Sequence, residues 1–302
     1  MTPTYNNAAH LEECIESVLA QTYERWEYVV VDDASTDRTV EIARSFAAKD
    51  KRIRVDAHDE RLGVPGNWNR AMRAISGESA YCKVVHGDDR LYPECLERMV
   101  ALSEREPRAG VVGAYRIDGS TVNLDDLPTD SSVFSGADVC RRTLLGELYV
   151  FGSPTSLLIR SDLVRARDPF YPEGSLHADT EVCFELLRNT DLGFAHEVLT
   201  FTRRHREAVT AFATRLGTYR PGRIELVRRY GPTFLSRADY ERRLAVMVAE
   251  YARFLARHPG RLREPEFRAY HATVLRDLPG TLDARAVLRG AVRHVRHKLA
   301  RS

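Results

Sequence analysis

The sequence predicts an α/β fold, a sheet with helices on its faces followed by a helical extension. Three observations carry that prediction. From residue 10 onward, helical and strand-like hydrophobic periods alternate. Two short apolar runs end in adjacent carboxylates, YVVVDD at 28–33 and CKVVHGDD at 82–89, as strands of an open sheet end in site-bearing loops. After about Pro221 the strand-like runs stop and only helical spacing remains.

Taken in order, Leu11, Cys14, Ile15, Val18 and Leu19 form one helical stripe, and YVVV is a short continuous run that reads as a buried strand. Val40, Ala43 and Ala47 mark the next helix, and RIRV the next strand. Trp68, Ala71, Met72 and Ile75 fall on one apolar helical stripe, which assigns Trp68 to the core rather than to a sugar platform. AYCKVV is a strand, and Pro93 opens the following helix where its missing N–H costs little. GVVGAY and TSLLIR are strands. A helix around Val182, Phe184, Leu186 and Leu187 then leads into the strand of LGFAHEVLTFTRR. The simplest division is an α/β domain over residues 1–220 and a helical extension over 221–302.

Composition narrows the function classes. With 302 residues, 43% of them apolar and 29% charged, the chain has a globular make-up that excludes disorder for most of its length. The 45 basic and 43 acidic residues nearly cancel, so net charge gives no reason to expect a nucleic-acid partner. No run approaches the roughly 18 apolar residues of a membrane span, and MTPTYNNAAH lacks a cationic-then-apolar leader. Cys14, Cys82, Cys95, Cys140 and Cys183 are odd in number, lack CxxC spacing and sit among apolar residues, as reduced core cysteines of a cytoplasmic protein do.

The acidic pairs raise the chemical question, because two carboxylates held together need a cation or hydrogen-bonding partners to stay ionised. For the stretch from Ser35 to Asp37 helix capping is the preferred reading. For Asp88 and Asp89 capping is weaker, and a hard divalent ion carrying phosphate oxygens meets the need. Neither a GxxxxGK motif nor a GxGxxG after the first strand is present, so phosphate would be held through metal and scattered side chains.

Four ordered stretches carry a resemblance to family 2 glycosyltransferases with the GT-A fold. TPTYNNAAHLEECIESVLAQTYERWEYVVVDDASTD resembles the opening segment of that family, and ERLGVPGNWNRAM its Asn/Arg-containing middle segment. HGDD stands where its Asp-x-Asp-type motif stands, and HADTEVCFELL resembles the acceptor-side motif that supplies the base. The resemblance covers about residues 2–210 and implies a Rossmann-like mixed sheet with flanking helices. It also implies an inverting transfer of a sugar from a nucleotide-diphosphate donor, UDP-linked, to the hydroxyl of a carbohydrate or lipid-linked acceptor in cell-surface polysaccharide or glycolipid synthesis. Thr4 and Tyr5 would line the nucleotide pocket, Asp32 and Asp33 would bond the base, and Arg61, Asn67 and Arg70 would lie near the nucleotide. Asp88 would face the ribose, and Asp89 would bind Mn²⁺ or Mg²⁺ with His205 over the metal. Asp179 would be the general base, with Glu181 its rival.

Two departures stand out. His86 replaces an acid that many relatives carry, and the apolar first strand that relatives carry before TPTYN is missing. Other readings stay open at this stage: a GT-A-like domain that binds a nucleotide sugar or a protein without turnover, a helix-capping role for Asp179, and a merely solvated His205. From Arg285 to Arg301 no acid occurs, and Leu288, Ala291, Val292, Val295 and Leu299 alternate with Arg289, Arg293, Arg296 and Lys298. That is either a basic amphipathic helix for an anionic membrane surface, placing the protein peripherally on the inner face of the plasma membrane, or a packed terminal helix with a solvated face.

Overall fold

All five residues of YVVVD are buried and form β2 (Tyr28–Asp32). Their continuous apolarity has a cause in the layers: Val30 faces Leu11, Cys14, Ile15 and Val18 of α1 (Leu11–Leu19), while Val29 and Val31 face Ala71 on the other side. A strand covered on both faces does not alternate. Each of these valines contributes on the order of 1.5–3 kcal/mol by leaving water.

The structure of the protein is a computed structural model that describes residues 1–175, 177–204 and 209–277. The chain begins with β1 (Thr2–Thr4), then α1, β2, α2 (Thr39–Ala47), β3 (Ile53–Ala57), α3 (Val64–Arg73), β4 (Tyr81–Lys83), β5 (Arg90–Leu91) and α4 (Cys95–Arg105). It continues with β6 (Ala109–Asp118), β7 (Thr121–Asn123), β8 (Val133–Phe134), α5 (Gly136–Leu145), a 3₁₀ turn (Pro154–Ser156), β9 (Leu157–Arg160), α6 (Ser161–Arg165), α7 (Ala178–Leu187) and β10 (Asp191–Thr202).

Parallel strands β1-β2-β3 make one sheet, with Thr4 level with Asp32 and Tyr28 level with Ile53. A second, mixed sheet runs β4-β9-β6-β10-β5, with β7 on β6 and β8 on β10. The two join where the Met1 amino group donates to the Lys83 carbonyl and Val85 N–H donates to the Met1 carbonyl. The first strand that the sequence reading left out is therefore present in short form. TPT carries no apolar run, and its parallel pairing with β2 makes it a strand.

Other differences are local. Pro93 lies before α4 rather than in its first turn, because the helix begins at Cys95. The buried face of α3 is Asn67, Asn69, Ala71 and Met72, and Trp68 is only half-buried. The five cysteines are buried and unpaired, as expected.

The chain divides into two units, residues 1–204 and 205–302. The second contains α8 (Val209–Leu216), α9 (Tyr219–Phe234), α10 (Arg237–Arg257) and α11 (Pro265–Asp277). Ser236 caps α10 by accepting from Asp239 N–H at 3.1 Å. Inside this unit His271 Nδ1 lies 2.6 Å from the Tyr251 hydroxyl and Nε2 lies 2.8 Å from the Leu216 carbonyl, so a buried imidazole ties three helices. No helix among the described residues is long and apolar enough to cross a membrane. His205 and the basic tail from Arg285 to Arg301 lie outside the described residues.

Candidate active site

Strands β1 and β2 end side by side, and the carboxylates that follow organise the loops around them. Asp32 Oδ2 accepts from Ser35 N–H at 2.8 Å and Oδ1 accepts from the Ser35 hydroxyl at 2.5 Å. Asp33 accepts from Leu62 N–H at 2.6 Å and from Gly63 N–H at 3.0 Å. Those donors precede α3, whose N-cap Gly63 has φ +77°, a conformation that favours glycine. Asp37 takes the Thr39 N–H at the start of α2, in line with the capping reading for that stretch. Buried carboxylates accepting backbone N–H groups are satisfied without a cation.

Several sequence-predicted donor residues meet here. The Arg61 guanidinium lies 3.8 Å from the centre of the Tyr5 ring, and its Nε is 4.0 Å from Asp33 Oδ2. Thr4 is buried, its hydroxyl donating to Asn7 Oδ1 at 2.8 Å. Asn67 donates to the Thr4 and Val31 carbonyls, which ties α3 to both strands, and its own Oδ1 is buried without a hydrogen bond. Arg70 is drawn elsewhere: it forms a two-pronged pair with Asp56 on β3, at 2.9 and 2.8 Å.

The second acidic pair follows β4 and packs directly on this first cluster. A Cβ on Gly87 would lie 2.8 Å from Thr4 Oγ1, so the approach of the two loops requires glycine. Beside it, His86 stacks on Trp68 with ring centres 5.0 Å apart, and Trp68 meets Tyr171 edge-on at 5.3 Å. Trp68 thus belongs to the wall of this loop rather than to the core, which helical periodicity alone did not distinguish.

Asp89 is 3% exposed. Its Oδ2 accepts from the Thr155 hydroxyl at 2.6 Å and its Oδ1 from Arg203 N–H at 3.0 Å. Burial, and then the charge of Asp88, push its carboxyl up to about 7. Asp88 is half-buried, and its carbonyl accepts from Arg203 Nε at 3.2 Å. Arg203 also pairs with Glu13 of α1.

Each oxygen of Asp89 thus accepts one hydrogen bond inside the protein, which leaves a lone pair on each for the expected metal. The described residues hold no cluster of three His, Cys, Asp or Glu side chains suited to a metal. Asp88 is the more exposed carboxylate of the pair. A hard ion takes as few as one or two carboxylates when substrate phosphates complete its shell.

Asp179 sits in the first turn of α7, where its Oδ1 accepts from Thr180 N–H at 2.8 Å. Burial raises its carboxyl pKa, opposed by that N–H and by the rings of His177 and His86. His86, whose imidazole burial holds below the usual histidine range, feels both Asp88 and Asp179. The base expected from one motif and the acidic loop expected from another therefore share a neighbour. Glu181, buried one side-chain step further along α7, is 7% exposed.

Sequence reasoning missed four contributors: Thr155, Arg203, Tyr149 and Thr180. The Tyr149 hydroxyl donates to the Gly152 carbonyl at 3.1 Å and meets Thr180 Oγ1 at 3.2 Å. Thr180 lies within HADTEVCFELL beside the expected base, Thr155 in FGSPTSLLIR and Arg203 in the basic run after β10, and Tyr149 in no quoted motif.

Comparison with known proteins accords with this layout. The family model "Glycosyl transferase family 2" matches residues 1–165. The putative glycosyltransferase EpsE of Bacillus subtilis (strain 168) is 31% identical over 149 residues, 47% of this chain and 52% of that protein. The putative teichuronic acid biosynthesis glycosyltransferase TuaG of the same organism is 28% identical over 151 residues, 50% of this chain and 59% of that protein. The chain spans about half the length of these two relatives. Among solved structures, S. aureus TarS in complex with UDP-GlcNAc superimposes with TM-score 0.63 at 20% identity, covering 91% of this chain and 78% of that one. The mannosyltransferase PcManGT of Pyrobaculum calidifontis, in complex with GDP-Man and Mn2+, gives 0.57 at 18% identity, covering 96% and 84%. At such identities the likeness shows the fold, the mixed-sheet GT-A architecture.

Proposed function

The chain belongs to glycosyl transferase family 2, and from that premise we propose that it transfers a sugar from a nucleotide-diphosphate donor to an acceptor hydroxyl with inversion. The observation that carries the reading is that one segment holds both sides: Thr155 bonds His86 and Asp89 of the acidic loop, and Gly152 just before it is joined through the Tyr149 hydroxyl to Thr180, next to Asp179. An acceptor hydroxyl is a poor nucleophile until its proton is removed, and the bond to the diphosphate breaks more easily where negative charge is stabilised. Those tasks need a base and a leaving-group site on two sides of the reacting carbon.

In this reading Asp179 takes the proton from the acceptor hydroxyl as its oxygen attacks the anomeric carbon, and its burial-raised carboxyl pKa makes it a stronger base than an exposed Asp. Glu181 is the lesser candidate. The nucleoside lies against Tyr5 and Arg61, where Asp33, through its remaining lone pairs, takes an N–H from a uracil-type base. Asp88 would hold Mn2+ or Mg2+, and such an ion, when bound, neutralises charge on the departing diphosphate. UDP is favoured because TarS binds UDP-GlcNAc, and a cell-surface polysaccharide acceptor because TuaG is named for teichuronic acid biosynthesis.

The direct test is nucleotide release from a panel of UDP- and GDP-sugars with polysaccharide acceptors, with and without chelator. Release of UDP that depends on acceptor and on a divalent ion supports the reading. Full activity in excess chelator removes the metal from it, and no turnover with any donor removes catalysis.

A further inference from the structure

We infer that Thr155, to which no role attaches in any of the matched motifs, is the positioning residue that sets the distance between the leaving-group loop and the general base. This rests on the transferase reading above.

Thr155 is fully buried in the 3₁₀ turn, and every polar group it offers in that direction is engaged by the loop after β4 or by β4 itself. Its hydroxyl donates to Asp89 Oδ2 at 2.6 Å and accepts from His86 N–H at 3.1 Å. Its carbonyl accepts from the Lys83 ammonium at 2.6 Å, a buried cation whose other polar neighbour is Met99 Sδ at 3.6 Å. One side chain and one carbonyl therefore fix the loop at its start, at His86 and at Asp89, with Asp88 carried between the last two. Asp89 completes the frame by holding Arg203 N–H, which brings in the end of β10.

The same turn reaches toward the base from its other end. Gly152, three residues before Thr155, accepts from the Tyr149 hydroxyl, and that hydroxyl meets Thr180, the residue after Asp179. A path of hydrogen bonds and backbone thus runs from Asp89 through Thr155 and the residues back to Gly152, then through Tyr149 to Thr180, with Asp88 next to one end in sequence and Asp179 next to the other. Such a frame matters because displacement of reacting groups by about 1 Å costs on the order of a hundredfold in rate. It also makes Asp89 an internal acceptor that holds two segments together.

The test compares Thr155→Val, which keeps shape and removes the hydroxyl, with Thr155→Ser, which keeps the hydroxyl. Lys83→Met, a change of similar volume, is a second and independent cut. Two quantities are read: UDP binding in Mn2+ by calorimetry, and the ratio of sugar transferred to acceptor over sugar lost to water. The ratio reports alignment of acceptor and donor, which a loss of folded protein would not change. Thr155→Val should lower the ratio about ten- to a hundredfold, Lys83→Met should lower it less, and Thr155→Ser should recover it to within about threefold. UDP binding by Thr155→Val should weaken with it. An unchanged ratio in both Thr155→Val and Lys83→Met overturns the inference, as does equal loss in Thr155→Ser and Thr155→Val. If the unsubstituted protein binds neither UDP nor GDP and transfers nothing, the donor reading fails first and this inference with it. Binding and transfer by the unsubstituted protein, with the same ratio in Thr155→Val and Lys83→Met, removes the inference alone.

Discussion

Asp32-Asp33 and Asp88-Asp89 both follow buried strands, yet all four oxygens of the first pair accept from donors in the loops that they organise. In the second pair Asp89 is buried, with a donor on each oxygen, and Asp88 is half-buried in the same loop as His86. The difference lies in what surrounds each strand end. The first meets a serine three residues on and the free N–H groups that lead into α3. The second meets a threonine and a backbone N–H that reach only one of its two carboxylates. Adjacent carboxylates at a strand end are thus one sequence signal with two outcomes, loop building and division of labour.

That contrast is breakable. The largest effect is expected on the reactive side, at Asp179. Asp179→Asn keeps shape and an oxygen for Thr180 N–H but removes basicity, so transfer should fall by about two to four orders of magnitude while the unfolding midpoint holds. Glu181→Gln should cost far less. The opposite ranking in initial-rate assays would move the base to Glu181.

Asp88→Asn should weaken donor binding in Mn2+ by about ten- to a hundredfold, read by calorimetry, with stability changed by less than about 0.5 kcal/mol. If Asp89→Asn instead abolishes the metal dependence and Asp88→Asn leaves it intact, the division of labour within the second pair is reversed.

Asp33→Ala should do what a loop-building carboxylate implies, leaving two N–H donors without their acceptor. A loss of about 1–3 kcal/mol in urea unfolding is expected. Unchanged stability together with lost UDP binding would make Asp33 a pure ligand residue and erase the contrast between the pairs.

The smallest effect is in pH. Because burial raises the Asp179 carboxyl pKa, the acid limb of kcat/KM should lie above the ordinary aspartate range and disappear in Asp179→Asn. The sign for stability is opposite to that of a salt-bridged Asp. The folded state holds this proton more tightly than the unfolded chain, so stability falls as pH rises from the ordinary aspartate value toward the raised one. Asp179→Asn should flatten that slope in urea midpoints taken across the same range. A limb at ordinary aspartate pH would mean that the site is wetter than its burial implies.

The order of strands and helices through β10 was legible because both hydrophobic periods are explicit, and β2 read as a strand because helices cover both its faces. The short elements β5, β7 and β8 escaped notice, since two or three residues define no period. Helix α5 was missed although Ser135 caps it, because its apolar stripe, Val139, Cys140 and Leu144, is sparse.

The site divides along the same line. By itself the sequence determined the family, the α/β class, the acidic strand ends and the candidate base, because each is written in contiguous residues. Only the tertiary structure decided that Arg70 turns to Asp56, that Trp68 stacks on His86, and that each oxygen of Asp89 accepts a hydrogen bond. Thr155 and Arg203 stand 66 and 114 residues from Asp89. A side chain's hydrogen-bond partners are set by which segments the fold brings within about 3 Å, and no local pattern around a lone threonine records that distance.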